Sequence, residues 1–99
     1  MDRDAVLQKI REQTRDFARR GVRSLTLFGP LARQELKPRG EINFIIDMAP
    51  PHTLAHFLEV KDYLTTLLNY PQVELVMVDP RQPDIWPLIS PDAIEIRFD

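Results

Sequence analysis

The stretch Leu25-Thr26-Leu27-Phe28-Gly29-Pro30-Leu31-Ala32-Arg33, followed after a short polar link by Gly40-Glu41-Ile42-Asn43-Phe44-Ile45-Ile46-Asp47, decides how this chain folds. Residues 23–28 are mostly apolar or β-branched and read as a buried strand, which Gly29-Pro30 breaks. Proline is tolerated at the first position of a helix, so a short helix is predicted over Leu31–Leu36. Lys37-Pro38-Arg39-Gly40 is a polar turn, and residues 41–48 read as a second strand. A link this short supports antiparallel pairing, so the sheet is expected to be mixed.

Working outward, residues 3–20 carry Val6, Leu7, Ile10, Phe17 and Ala18 on one face at helical spacing. Asp4 suits the first turn and Gly21 the C-terminal stop. The charged remainder reads as a solvated face with pairs such as Asp16 with Arg20. On the other side, Ala49-Pro50-Pro51-His52-Thr53 is a linker whose last residue can cap a helix. Leu54, Phe57, Leu58, Leu64, Leu67 and Leu68 give that helix its stripe. Val73–Val78 reads as a third strand, residues 84–89 as a short helix around Trp86, and Ala93–Phe98 as a last short strand. Strands alternating with helices predict a single small α/β (α+β) domain over residues 1–99, with a mixed sheet flanked by helices.

Bulk properties narrow the function classes. The chain has 99 residues, 43% hydrophobic and 28% charged, as one globular domain requires. A net charge of −2 and a pI near 5.6 argue against strong nucleic-acid binding. The absence of cysteine excludes disulfides, thiolate metal sites and a cysteine nucleophile. With neither a leader pattern nor an apolar run of about 20 residues, a cytoplasmic protein without a membrane span is expected.

Three places carry candidate chemistry. Gly29 lets backbone approach a ligand, and the segment after it aims amides at an anion, although Pro30 supplies neither an N–H nor a hydroxyl. On the second strand, alternation puts Glu41, Asn43, Ile45 and Asp47 on one side, with Glu41 and Asn43 adjacent. Asp47 lies roughly 13 Å beyond Asn43 and is too far to share a metal with that pair. On the third strand Glu74 interrupts an apolar run, which calls for either a cleft or an exposed side. His52 and His56 read as surface histidines, since metal ligation needs further ligands. Trp86 with Ile85, Leu88 and Ile89 reads as core packing or, with Tyr70, as a partner contact.

These two quoted stretches resemble the signature of the minimal nucleotidyltransferases, in the polymerase beta-like nucleotidyltransferase superfamily. The resemblance extends over most of the chain, including the leading helix, the long middle helix and Val73-Glu74-Leu75-Val76. In that family a glycine-serine turn binds phosphate. Paired aspartates on the second strand hold two magnesium ions that bridge a nucleoside triphosphate, and a third aspartate helps activate the attacking hydroxyl. The resemblance therefore implies that Gly29, Pro30 and Arg33 face the nucleotide. It implies that Glu41, Asn43 and Glu74 are the catalytic and metal-binding positions, with Mg2+ and ATP as cofactor and ligand.

This chain keeps Phe28, Gly29, Ala32 and Arg33. It departs at Pro30 for the serine, at Glu41 and Asn43 for the paired aspartates, and at Glu74 for the third. Three carboxylates become two, and a neutral bridging ligand holds a second cation poorly. Each glutamate also displaces its oxygens by more than the ~0.5 Å that a catalytic constellation tolerates. The expectation is a pseudoenzyme, weakly active or inactive, that works through a protein partner as an antitoxin or regulator. The resemblance implies a helical HEPN-type partner, and a homodimer is compatible. The alternatives are magnesium-dependent adenylyl transfer from ATP to a protein or small molecule, and a nucleotide sensor without turnover.

Overall fold

The computed structural model describes residues 2–77 and 91–98. Its elements are α1 (Arg3–Arg11), α2 (Thr14–Arg19), β1 (Val22–Phe28), β2 (Ile42–Met48), α3 (Leu54–Leu68), β3 (Val73–Met77) and β4 (Ile94–Arg97). The four strands form one sheet in the order β3-β2-β1-β4. β1 pairs antiparallel with β2 and with β4, while β2 and β3 run parallel across the α3 crossover. The expected mixed α+β sheet is thus present. β1 and β2, its two interior strands, are the two stretches with the most continuous apolar sequence.

Strand alternation splits the sheet into two faces. Leu25 and Leu27 of β1, Ile42, Phe44 and Ile46 of β2, Leu75 of β3 and Ile96 of β4 join one core cluster with Val6, Leu7, Ile10, Phe17, Val60, Leu64 and Leu68 of the helices. Each large aliphatic or aromatic side chain buried there contributes about 1.5–3 kcal/mol. Phe17 is fully buried, stacked on Phe98 at 4.8 Å between centroids and edge-on to Tyr63 at 5.1 Å. Ser24, Thr26 and Ile45 are also buried but fall on the opposite face, outside that cluster.

The predicted helix over 3–20 is two helices. Between Ile10 and Phe17 the positions that should continue the apolar stripe are Gln13 and Thr14, and no burial holds the turn in line. The Thr14 hydroxyl donates to the Arg11 carbonyl at 2.8 Å and Gln13 leaves helical geometry (φ −110°, ψ 27°); a hydroxyl bonded back to the preceding turn competes with the helix ladder. Ala18 is exposed rather than buried. Asp4 stands in the first turn of α1 as expected, and Asp2 is its cap, accepting from the Asp4 amide at 3.3 Å. Asp16 pairs with Arg19 at 2.6 Å, and Arg20 donates instead to the Asp16 carbonyl at 3.1 Å.

Thr53 caps α3 as expected, accepting from the His56 amide at 3.2 Å, and Asn69 closes it with φ 50°. The buried line along α3 runs Phe57, Val60, Leu64, Leu68 at steps of three and four. Leu58 stands about 100° around the helix from Phe57, and it and Leu54 are 52% and 72% exposed. The predicted helix over Leu31–Leu36 is a single turn. The Gln34 and Glu35 amides donate to Leu31 O at 2.9 Å and Pro30 O at 2.8 Å, with Gln34 at φ 59°. That pair of bonds around a left-handed residue is a Schellman closure, which stops a helix as it starts. The predicted helix at 84–89, with Trp86, lies outside the described residues.

Candidate functional site

β1 ends at Phe28, and Gly29 turns the chain with φ +77°. Register sets Phe28 beside Asn43, and Asn43 beside Glu74. The Ile42 amide donates to Gln72 O at 2.8 Å, which fixes the entries of β2 and β3 level with each other. One row across three strands therefore carries Phe28, Asn43 and Glu74, with neighbouring strands about 4.8 Å apart. Glu41 is the residue just before β2, and the Asn43 side-chain amide donates to its carbonyl at 3.4 Å. Glu41 and Glu74 are exposed and Asn43 is half-buried.

Gly29 is required here on two counts. Its φ lies where L side chains are strained. A Cβ on it would also stand 2.9 Å from Asn43 Nδ2. The Gly29 turn therefore packs close against the Asn43 side chain.

The other predicted residues are placed differently. Pro30 is half-buried and its carbonyl accepts from the Arg33 and Glu35 amides. The Arg33 side chain, expected to face the nucleotide, pairs with Glu35 at 3.1 Å. Asp47 pairs in register with Ser24, toward the far end of the sheet. Tyr70, a candidate partner contact in the sequence, is half-buried, and its hydroxyl donates to the Gly40 carbonyl. It so ties the α3–β3 turn to the residue before Glu41. His52 and His56 are exposed. No cluster of three or more His, Cys, Asp or Glu stands at metal-binding distance among the described residues.

Sequence reasoning missed Arg3. From the first turn of α1 its guanidinium donates to Ala32 O at 3.1 Å. The Gln34 amide oxygen, turned toward it, accepts from Nη2 at 2.7 Å. Arg3 thus clasps the Gly29–Gln34 turn from 29 residues away in the chain. Nothing local to Arg3 signals this, because its neighbours read only as a solvated helix start.

A glycine turn thus closes against a strand pair that carries polar and acidic residues at one sheet end. No family model matches the chain. The protein adenylyltransferase MntA of Thermococcus cleftensis is 31% identical over 74 residues, which is 75% of this chain and 72% of that protein. A Methanocaldococcus jannaschii protein, also named for protein adenylyltransferase activity, is 36% identical over 55 residues, 56% of this chain and 55% of its own length. A solved minimal nucleotidyltransferase superposes with a TM-score of 0.68 and 26% identity, covering 95% of each chain. The chain belongs to the minimal nucleotidyltransferase family. Among its described residues no helix is long and apolar enough to cross a membrane.

Proposed function

We propose that this chain is a nucleotidyltransferase-fold domain with an altered metal motif, which transfers an adenylyl group weakly or not at all and acts through a protein partner. The observation that carries this reading is the neutral Asn43 in the row between the Gly29 turn and Glu74. Magnesium takes hard oxygen ligands at about 2.0–2.1 Å and is commonly held by one or two carboxylates plus phosphates and water. The donor set of Glu41, Glu74 and the Asn43 amide fits one such ion. A two-metal site holds its ions about 3.5–4 Å apart and needs charge between them. Position 43, level with Glu74, supplies none. Bound there, a magnesium ion would supply neutralisation of triphosphate charge.

The partner half of the proposal is supported by surface apolarity. Leu54, Leu58 and Met77 are exposed, and Leu54, Phe57 and Met77 line a concavity of about 330 Å³ together with His52 and Thr53. Apolar side chains gathered in this way mark interaction surfaces. A helical HEPN-type protein, paired with this domain as a toxin is with its antitoxin, is the proposed occupant. A second reading, magnesium-dependent adenylyl transfer from ATP, is favoured by the names of the two relatives and by two solvent-facing carboxylates at the same sheet end.

Incubating the intact chain with ATP, magnesium and a co-purifying partner, followed by intact-mass spectrometry, separates the two. The proposal expects an unmodified partner. A partner that gains one adenylate establishes the second reading.

A further inference from the structure

The end of the sheet opposite Gly29 holds a second concavity, of about 380 Å³. Its floor is the Gly21 turn and the exit of β2, where the Ala49 amide donates to Gly21 O at 2.8 Å. Four basic side chains line it: Arg19 and Arg20 from the end of α2, and His52 and His56 from the α3 side. Glu59 is the acidic residue on the wall.

The two guanidinium groups are tethered from behind. Arg19 Nη2 lies 2.6 Å from Asp16 Oδ1. Arg20 donates to Asp16 O at 3.1 Å, and its guanidinium carbon lies 3.9 Å from the Tyr63 ring centroid. Each uses only part of its five donors in these contacts. Tethering lowers the rotamer entropy that an arginine loses on binding an anion.

We propose that this pocket is a binding site for a phosphate group, of the size and charge of a phosphomonoester, separate from the Gly29–Asn43–Glu74 end. Arg19 and Arg20 supply charge-assisted donors, which are about twice as strong as neutral ones. His52 and His56 add ring N–H donors from the α3 side. Glu59 on the same wall opposes the anion. The proposal does not depend on adenylyl transfer.

The test uses the intact chain and the ring-proton NMR signals of His52 and His56. Sulfate, a phosphate-shaped dianion, is titrated against chloride at fixed ionic strength, and inorganic phosphate and AMP follow. Saturable shifts are expected with all three anions. Arg19→Gln is expected to weaken binding about tenfold. Linear shifts without saturation, equal affinity in the Arg19→Gln variant, or sulfate binding without an AMP response would each overturn it.

Discussion

β1 is bounded by two glycines at positive φ, Gly21 at +81° and Gly29 at +77°, and they do different work. A Cβ on Gly21 would meet nothing within 4 Å, whereas one on Gly29 would meet Asn43 Nδ2 at 2.9 Å. Gly21 ends α2 and starts a strand, a purely conformational demand. Gly29 meets the same demand and also leaves room for the Asn43 side chain. The chemistry divides the same way. Two carboxylates and an amide stand at the Gly29 end, and two arginines with two histidines line the hollow at the Gly21 end. One sheet thus carries carboxylates and an amide at one end and basic side chains at the other.

Alanine at each glycine separates the two demands, and this is the largest effect expected. Gly21→Ala should cost only the left-handed backbone penalty, about 1–2 kcal/mol. Gly29→Ala should cost that and the displacement of Asn43, about 2–3 kcal/mol in all. Urea midpoints measure both. Asn43→Ala in the Gly29→Ala background should recover about 0.5–1 kcal/mol as a coupling energy. Equal costs at the two glycines, with no coupling to Asn43, would mean that Gly29 is only a turn.

Restoring the missing charge comes next in size. Asn43→Asp should raise magnesium affinity about tenfold, or about 1.4 kcal/mol. Calorimetry with magnesium alone reads this without any demand on catalysis. No gain would show that Glu41 and Glu74 do not converge with position 43, and would remove the argument that only charge was lost there.

The glycine-to-strand spacing was legible in the sequence because strand alternation and a helix-breaking pair are local signals. Phe28-Gly29-Pro30 marked the end of β1, and the alternation from Glu41 to Asp47 separated the core face of β2 from its other face. The mixed sheet followed from a link too short for a parallel crossover. The kink at Gln13 was not legible, because Val6, Leu7, Ile10 and Phe17 satisfy one helical period and only the Thr14–Arg11 bond breaks it. The Gln34 reversal stayed hidden because glutamine carries no signature for positive φ. The clasp of Arg3 on Ala32, the lock of Tyr70 on Gly40 and the gathering of Arg19, Arg20, His52 and His56 are long-range or between elements. A local pattern holds no information on which side chains the topology will bring together. His52 and His56, read singly, were plain surface residues; beside the end of α2 they become half of a basic pocket.

The smallest effect sharpens the Gly21 end. Tyr63 holds Arg20 against its ring, and its hydroxyl lies 3.4 Å from Asp16 Oδ2 and 3.5 Å from Gln13 Oε1. Burial raises its pKa above 10.0, and the Asp16 carboxylate raises it further, against smaller opposing effects of Arg20 and Arg19. The folded chain thus holds this proton more tightly than the unfolded chain does. The stabilisation is complete below the unfolded value near pH 10 and is lost as the pH rises through the folded value. Tyr63→Phe keeps the ring for Phe17 and Arg20 and removes only the hydroxyl. Its urea midpoint should trail the wild type at neutral pH and draw level above about pH 10, because only the wild type loses the linked term there. Parallel profiles through that window would mean that the phenol is as solvated in the folded chain as in the unfolded one. Arg20 would then be held by the Asp16 carbonyl and the face of the ring, with no contribution from the phenol proton.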